Sequence, residues 1–134
     1  MKNILIIGGT KGIGKSIVDD LIDHNNITCL SRNSPDFQHQ NFTHKVFDAL
    51  SDEYPELEHL DCLIYCPGSI NLKPISTLTL DDFRNDFEIN VMGAVKAIKK
   101  YLPLLKKSLS ASILLFSTVA TKLGMPYHAS VSVA

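Results

Sequence analysis

Apolar residues gather in five short runs, and the segments between them carry helical spacing or turn signals. Ile4 to Ile7 follow Asn3 without a polar break and stop at Gly8-Gly9, the pattern of a strand buried on both faces. Beyond the glycines, Ile13, Ile17, Val18, Leu21 and Ile22 recur at helical spacing and predict a helix with one apolar face, reaching to about His24. Asn25-Asn26 is a turn signal. Ile27 to Leu30 is the second predicted strand and Thr43 to Phe47 the third. Asn33 to Asn41 is polar, contains Pro35, and predicts a loop with at most a ragged helical turn.

Pro55 breaks the next polar stretch, where a short helix is expected. Asp61 leads into the fourth strand, Cys62 to Tyr65, which ends at Pro67-Gly68. Thr79 and Asp82 have the spacing of a capped helix start. Val91, Ala94, Val95, Ile98, Leu102 and Leu105 mark one side of a long helix that Pro103 is expected to kink or shorten. Ser112 to Phe116 is the fifth strand. Strands alternating with helices predict an α/β fold with a parallel, doubly wound sheet. The 134 residues suffice for one compact domain, and no repeat or linker divides them.

Composition narrows the function classes. A net charge of -1 gives no electrostatic footprint for nucleic acid. The first apolar run is too short for a membrane span or signal peptide, so a cytoplasmic protein is expected. Cys29, Cys62 and Cys66 are too few, and odd in number, for a disulfide framework. His24, His39, His44, His59 and His128 lack metal-ligand spacing, so no metal site is expected.

The turn from Gly8 to Gly14 carries the chemistry. Gly8, Gly12 and Gly14 stand between a strand and a helix, where a missing Cβ allows a tight turn and close approach of backbone N–H groups to a phosphate. The following helix N-terminus supplies unpaired donors and a favourable dipole. This reads as a cradle for the diphosphate of a dinucleotide. Gly9 to Ser16 also matches G-x-x-x-x-G-K-S, in which Lys15 would meet terminal phosphates and Ser16 a magnesium ion. That reading requires an acid ending an apolar strand. The fourth strand ends in Tyr65-Cys66, and Asp48 follows a third strand interrupted by Lys45. At the end of the second strand an acid would select NAD, but Ser31-Arg32-Asn33 stands there, with Arg32 eighteen residues past Gly14. A guanidinium grips a 2'-phosphate, and Lys11 adds a second cation, so NADP(H) is favoured over NAD(H).

These residues resemble the short-chain dehydrogenase/reductase family over essentially the whole chain. Gly8, Thr10, Lys11, Gly12, Ile13 and Gly14 look like its cofactor turn, and Ser31-Arg32 with Lys11 like that of its NADP-preferring members. Asp48-Ala49 falls where the family binds adenine, and Cys66-Pro67-Gly68 replaces its Asn-Ala-Gly, keeping only the glycine. Asn90 matches the family's active-site Asn, which positions a water of the proton relay. Ser117-Thr118 resembles its catalytic serine segment, with Thr118 in the serine's place and Ser117 beside it.

The resemblance implies a Rossmann-like sheet in the order 3-2-1-4-5 with helices on both faces, hydride transfer to or from a small carbonyl or alcohol substrate, and a homodimer or homotetramer paired through the long helix. It also exposes a departure. The tyrosine that donates the proton is replaced by Val131, and the lysine that tunes it would come one residue past Ala134. Tyr127, four residues early and next to Pro126, reads as a loop or pocket-lining aromatic. Family members are longer, so residues 1–134 are expected to be an NAD(P)-binding domain lacking the C-terminal part of the full fold. Two other functions fit parts of the sequence: a dinucleotide-binding sensor or regulatory protein that lost the acid, and a P-loop nucleotide hydrolase.

Overall fold

A computed structural model describes all residues, 1–134. Strand β1 spans Asn3–Ile7, helix α1 Gly12–Leu21, β2 Asn26–Ser31, β3 Phe42–Val46, β4 Cys62–Tyr65, α2 Leu80–Phe87, α3 Gly93–Leu105, β5 Ser112–Leu115 and α4 Ala129–Val133. A π-helical turn, Glu88–Met92, joins α2 to α3, and a 3-10 turn, Val119–Thr121, follows β5. All strand pairs are parallel, in the order β3-β2-β1-β4-β5.

The central strand explains the layers. Successive side chains of a strand point to opposite faces, and β1 is apolar on both. Ile4 and Ile6 pack with Val18 and Ile22 of the α1 segment and with Ile27 and Ile64. Leu5 and Ile7 pack on the other face with Leu30, Leu63, Tyr65 and the α3 residues Ala94, Ala97, Tyr101 and Leu105. At the sheet edge, Ile113, Leu114 and Leu115 of β5 are exposed.

The strands fall within one residue of the sequence expectation, and α2 starts with the expected capping box. Thr79 Oγ1 accepts from the Asp82 N–H at 3.1 Å, and Asp82 Oδ2 accepts from the Thr79 N–H at 2.9 Å. Two expectations fail. No helix forms around Pro55; Tyr54, Leu57 and Leu60 instead pack into the core from an irregular segment, where Tyr54 and Tyr101 meet edge to face at 5.8 Å. The long helix is interrupted, and its buried positions are Gly93, Ala94, Ala97, Tyr101 and Leu105, while Val95 and Leu102 are exposed. Pro103 stands in the last turn of α3, which continues to Leu105.

Tyr65 accounts for the interruption. In the π turn the Gly93 N–H reaches Glu88 O, so the Ile89 carbonyl loses its usual helical donor. The Tyr65 hydroxyl donates to that carbonyl at 2.7 Å. A Cβ at Gly93 would collide with the Tyr65 ring, so glycine at this point lets the helix close on β4. The inserted register turns the face of α3 that meets the sheet, which is why the uninterrupted stripe read from the sequence differs from the buried one.

Asp61 fastens the opposite, N-terminal ends of β1, β4 and β5. Its carboxylate accepts from the Asn3 N–H at 2.8 Å and the Ser108 hydroxyl at 2.6 Å, and its main chain bonds Asn3 and Ser112. The Asn3 N–H, then Ser108 and the Lys2 charge, hold this carboxyl below the ordinary aspartate range. A depressed native pKa contributes stability above the unfolded value and loses it as pH falls through the native one. The melting temperature of the wild type should therefore exceed that of Asp61→Asn above about pH 5, and the gap should close toward about pH 3. A gap independent of pH in thermal melts contradicts this role.

Candidate functional site

The strand order reverses beside β1, between β2 on one side and β4 on the other, and a cleft opens at the C-terminal ends of the strands there. Its volume is about 460 Å³. The turn after β1 builds its floor. Gly8 has φ +83°, a left-handed conformation that favours glycine, and its N–H donates to Leu30 O at 2.7 Å. Gly14, in the first turn of α1, packs so close to the Gly8 carbonyl that any side chain would collide with it. This contact sets the α1 N-terminus against the end of β1, with its N-cap residue Lys11 lining the cleft. No side chain caps that terminus and no acid stands in its first turn, so its N–H groups are left for an outside acceptor.

Ten of the residues singled out in the sequence line this cleft: Gly8, Thr10 and Lys11 from the glycine turn, Ser31 at the end of β2 and Arg32 after it, Asp48 and Ala49 after β3, and Cys66, Pro67 and Gly68 after β4. Gly12 and Ile13 are exposed at the start of α1, and Gly14 is buried beneath them. Lys11 and Arg32 are exposed and belong to no ion pair of the chain. Asp48 Oδ1 accepts from the Leu50 N–H at 2.9 Å, which fixes the turn after β3.

A second cavity, about 330 Å³, shares the wall Cys66-Pro67-Gly68 with the first. It brings together Asn90, Ser117, Thr118 and Val131. Thr118 Oγ1 accepts from the Ala120 N–H at 3.2 Å as the cap of the 3-10 turn, and its own proton is given to no residue of the chain. Asn90 is committed differently. Its amide donates to Ser69 O at 3.0 Å and to Asp86 O at 2.8 Å, and accepts from the Ser69 N–H at 3.2 Å. It clamps the shared wall. Tyr127, with φ 65°, lines a separate cavity with Lys73 and Met125, away from Thr118.

Several lining residues were not among the candidate site residues: Asn33, Phe47 and Leu50, and from the far wall Ser69, Asn85 and Ile89. Asp86 was not among those candidates either. It is fully buried, and its Oδ1 accepts from the Ser69 hydroxyl at 2.5 Å and Asn71 Nδ2 at 3.1 Å. Only its place one helical turn before Asn90 signals its part in the clamp. Burial raises the Cys66 thiol to about 11, so it stands protonated in the shared wall.

Lys15 and Ser16 point to other work than the P-loop pattern assigns them. The Lys15 ammonium pairs with Asp19 at 2.5 Å and lies 4.7 Å over the Phe37 ring, and Ser16 bonds back to Gly12 O at 3.4 Å. Neither lines the cleft.

A parallel sheet in this order, with a glycine turn opening on a switch-point cleft, defines a Rossmann-like doubly wound fold. The short chain dehydrogenase family matches residues 34–132. A tropinone reductase homolog of Arabidopsis thaliana is 32% identical over 143 residues, covering 89% of this chain and 52% of that protein. An oxidoreductase of Botryotinia fuckeliana (strain B05.10) is 23% identical, covering 90% and 50%. Among solved structures, a short-chain dehydrogenase/reductase from Saccharomyces cerevisiae superposes with TM-score 0.88 at 20% identity, covering 99% of this chain and 60% of that one. ElxO with NADP bound gives 0.85 at 22% identity, covering 99% and 62%. The chain belongs to the short-chain dehydrogenase family of oxidoreductases. It spans about half the length of the curated relatives it matches. No helix is long and apolar enough to cross a membrane.

The π turn and the clamp form one unit, so disturbing Tyr65 should reach Ser69. Tyr65→Phe leaves the Ile89 carbonyl without its donor and should cost about 1–2 kcal/mol in urea unfolding. Hydrogen exchange of the Ser69 amide should quicken with it. Unchanged exchange at Ser69 separates the two.

Proposed function

We propose that this chain is the cofactor-binding part of an NADP(H)-dependent oxidoreductase acting on a carbonyl or alcohol carbon. One observation carries the reading: two unpaired cations, Lys11 and Arg32, flank the same cleft as the uncapped N-terminus of α1. A diphosphate suits the helix terminus and a 2'-phosphate suits the cations. The absence of a side chain at Gly14 lets the start of α1 close on the Gly8 carbonyl, which suits a turn meant to approach a diphosphate. The NADP-bound ElxO structure supports the fold for such a ligand.

In this reading the turn from Gly8 to Gly14 holds the diphosphate, Arg32 and Lys11 the 2'-phosphate, and Asp48-Ala49 the adenine. Cys66-Pro67-Gly68 carries the ribose toward the second cavity. The bound cofactor supplies the hydride chemistry. Thr118 gives its free hydroxyl proton as a hydrogen bond to the substrate oxygen, and Ser117 stands beside it. Asn90, through Ser69, keeps the wall between the cavities in place.

Val131 favours a second reading. It lines the second cavity and has no proton to give. The other titratable groups there are poor donors: burial raises Tyr65, whose hydroxyl is bound to Ile89 O, and holds Cys66 at about 11. A chain that binds the dinucleotide without turning it over, as a sensor or regulatory protein, meets this condition. Three free cysteines suit a cytoplasmic setting for either.

Titration with NADPH and NADH tests the reading. Wild type should prefer NADPH by about tenfold or more, and Arg32→Ala should remove most of that preference while leaving NADH unchanged. Lys15→Met should alter neither. Equal affinities, or an Arg32→Ala variant like wild type, overturn it. Oxidation of NADPH by a carbonyl compound selects the reductase, and binding without turnover selects the sensor.

A further inference from the structure

The cation Arg32 stands on a turn, and a side chain outside the cleft sets that turn. Ser31 ends β2, is buried, and has its hydroxyl among several polar groups. Ser31 Oγ lies 2.9 Å from Asn33 O, 3.1 Å from Thr10 Oγ1 and 2.9 Å from His44 Nε2. Cys29 Sγ is a more distant neighbour at 4.0 Å. A hydroxyl has one proton to give and two lone pairs to fill. The Asn33 carbonyl only accepts, so the Ser31 proton goes there. Both lone pairs then require donors. The Thr10 hydroxyl fills one. His44 fills the other, and to do so it must carry a hydrogen on Nε2.

Sheet register delivers His44 to this point. It lies opposite Cys29 in the β2–β3 pair, and residues two apart on a strand share a face, so its ring projects on the side of Cys29 and Ser31. The ring lines neither cavity. Through Ser31 it joins the turn that carries Lys11 to the turn that carries Arg32.

We propose that His44 is a specificity-determining positioning residue for a ribose 2'-phosphate in this cleft. Its Nε2–H locks Ser31, and Ser31 locks the two turns that aim Lys11 and Arg32. The inference rests on the NADP(H) reading above. Ser31, with its proton and both lone pairs used, is a strut between the turns rather than a phosphate ligand. A ribose without the phosphate makes no demand on the spacing of the two cations, so NADH binding is independent of His44.

The test measures NADPH and NADH affinities of the full chain as wild type, His44→Leu, His44→Gln and Arg32→Ala. Leu fills space without a donor, whereas the Gln amide can donate in place of Nε2–H. His44→Leu should weaken NADPH about five- to tenfold and NADH by less than about twofold, with His44→Gln recovering most of the loss. A preference intact in His44→Leu but lost in Arg32→Ala overturns the role of His44 and leaves the cofactor reading standing. Equal weakening of both cofactors in His44→Leu, unrescued by Gln, reduces His44 to a structural residue and also overturns the proposal. A wild type without preference, insensitive to Arg32→Ala, overturns the cofactor reading and this inference with it. NMR of the wild-type imidazole nitrogens should find the hydrogen of His44 on Nε2, and a bare Nε2 overturns the proposal without any variant having to fold.

Discussion

Everything in the cleft depends on how closely the first turn of α1 approaches the end of β1. The contact between Gly14 and the Gly8 carbonyl leaves no room for a side chain, and it fixes the helix axis against the central strand. The N–H groups of the first helical turn, which no side chain caps, are thereby set beside the switch point of the sheet, with the N-cap residue Lys11 on the cleft. The same turn is anchored sideways by the Gly8 N–H on Leu30 O and by Thr10 on Ser31. A tight turn at β1 thereby sets the distance to the cationic turn after β2. Phosphate recognition in this chain is a matter of backbone placement first and of charge second.

The far wall is built by a different device. Tyr65, at the end of β4, reaches into the π turn and donates its hydroxyl proton to the Ile89 carbonyl that the helix has released. Asn90 lies in that turn and grips both the N–H and the carbonyl of Ser69. Gly68 fits beside it, since a Cβ there would stand 2.9 Å from Asn90 Oδ1. The wall shared by the two cavities is therefore held from behind, by groups that reach it through α2 and the π turn. Asn90, which the family resemblance assigns to a relay water, spends its side-chain amide on this clamp.

Much of this was legible in the sequence, for local reasons. β1 and β4 are buried on both faces, so their residues form unbroken apolar runs. The Thr79–Asp82 cap closes within a few residues. Gly8, Thr10, Lys11, Ser31, Arg32, Asp48 and Ala49 all stand at or just past strand ends, and in a parallel sheet strand ends converge on one cleft. What escaped depends on partners distant in sequence. The π turn answers to Tyr65, which lies 24 residues before Ile89. Asp86 is a buried acid whose partners, Ser69 and Asn71, come from another segment. The stretch around Pro55 reads as a polar segment with room for a short helix, yet Tyr54 and Leu57 pack against the core from irregular backbone. His44 looked like one of five scattered histidines until the register of β3 set it beside Ser31.

Mapping backbone amide shifts by NMR as NADP⁺ is added reports where the dinucleotide sits as well as whether it binds. Saturable shifts are expected at Gly8, at Lys11 to Gly14, at Ser31 to Asn33 and at Asp48 to Leu50, with those at Ser31 to Asn33 much reduced when NAD⁺ replaces NADP⁺. Shifts that leave these amides untouched, or that appear at Lys15 and Ser16 only with magnesium and ATP, would contradict this placement of the dinucleotide.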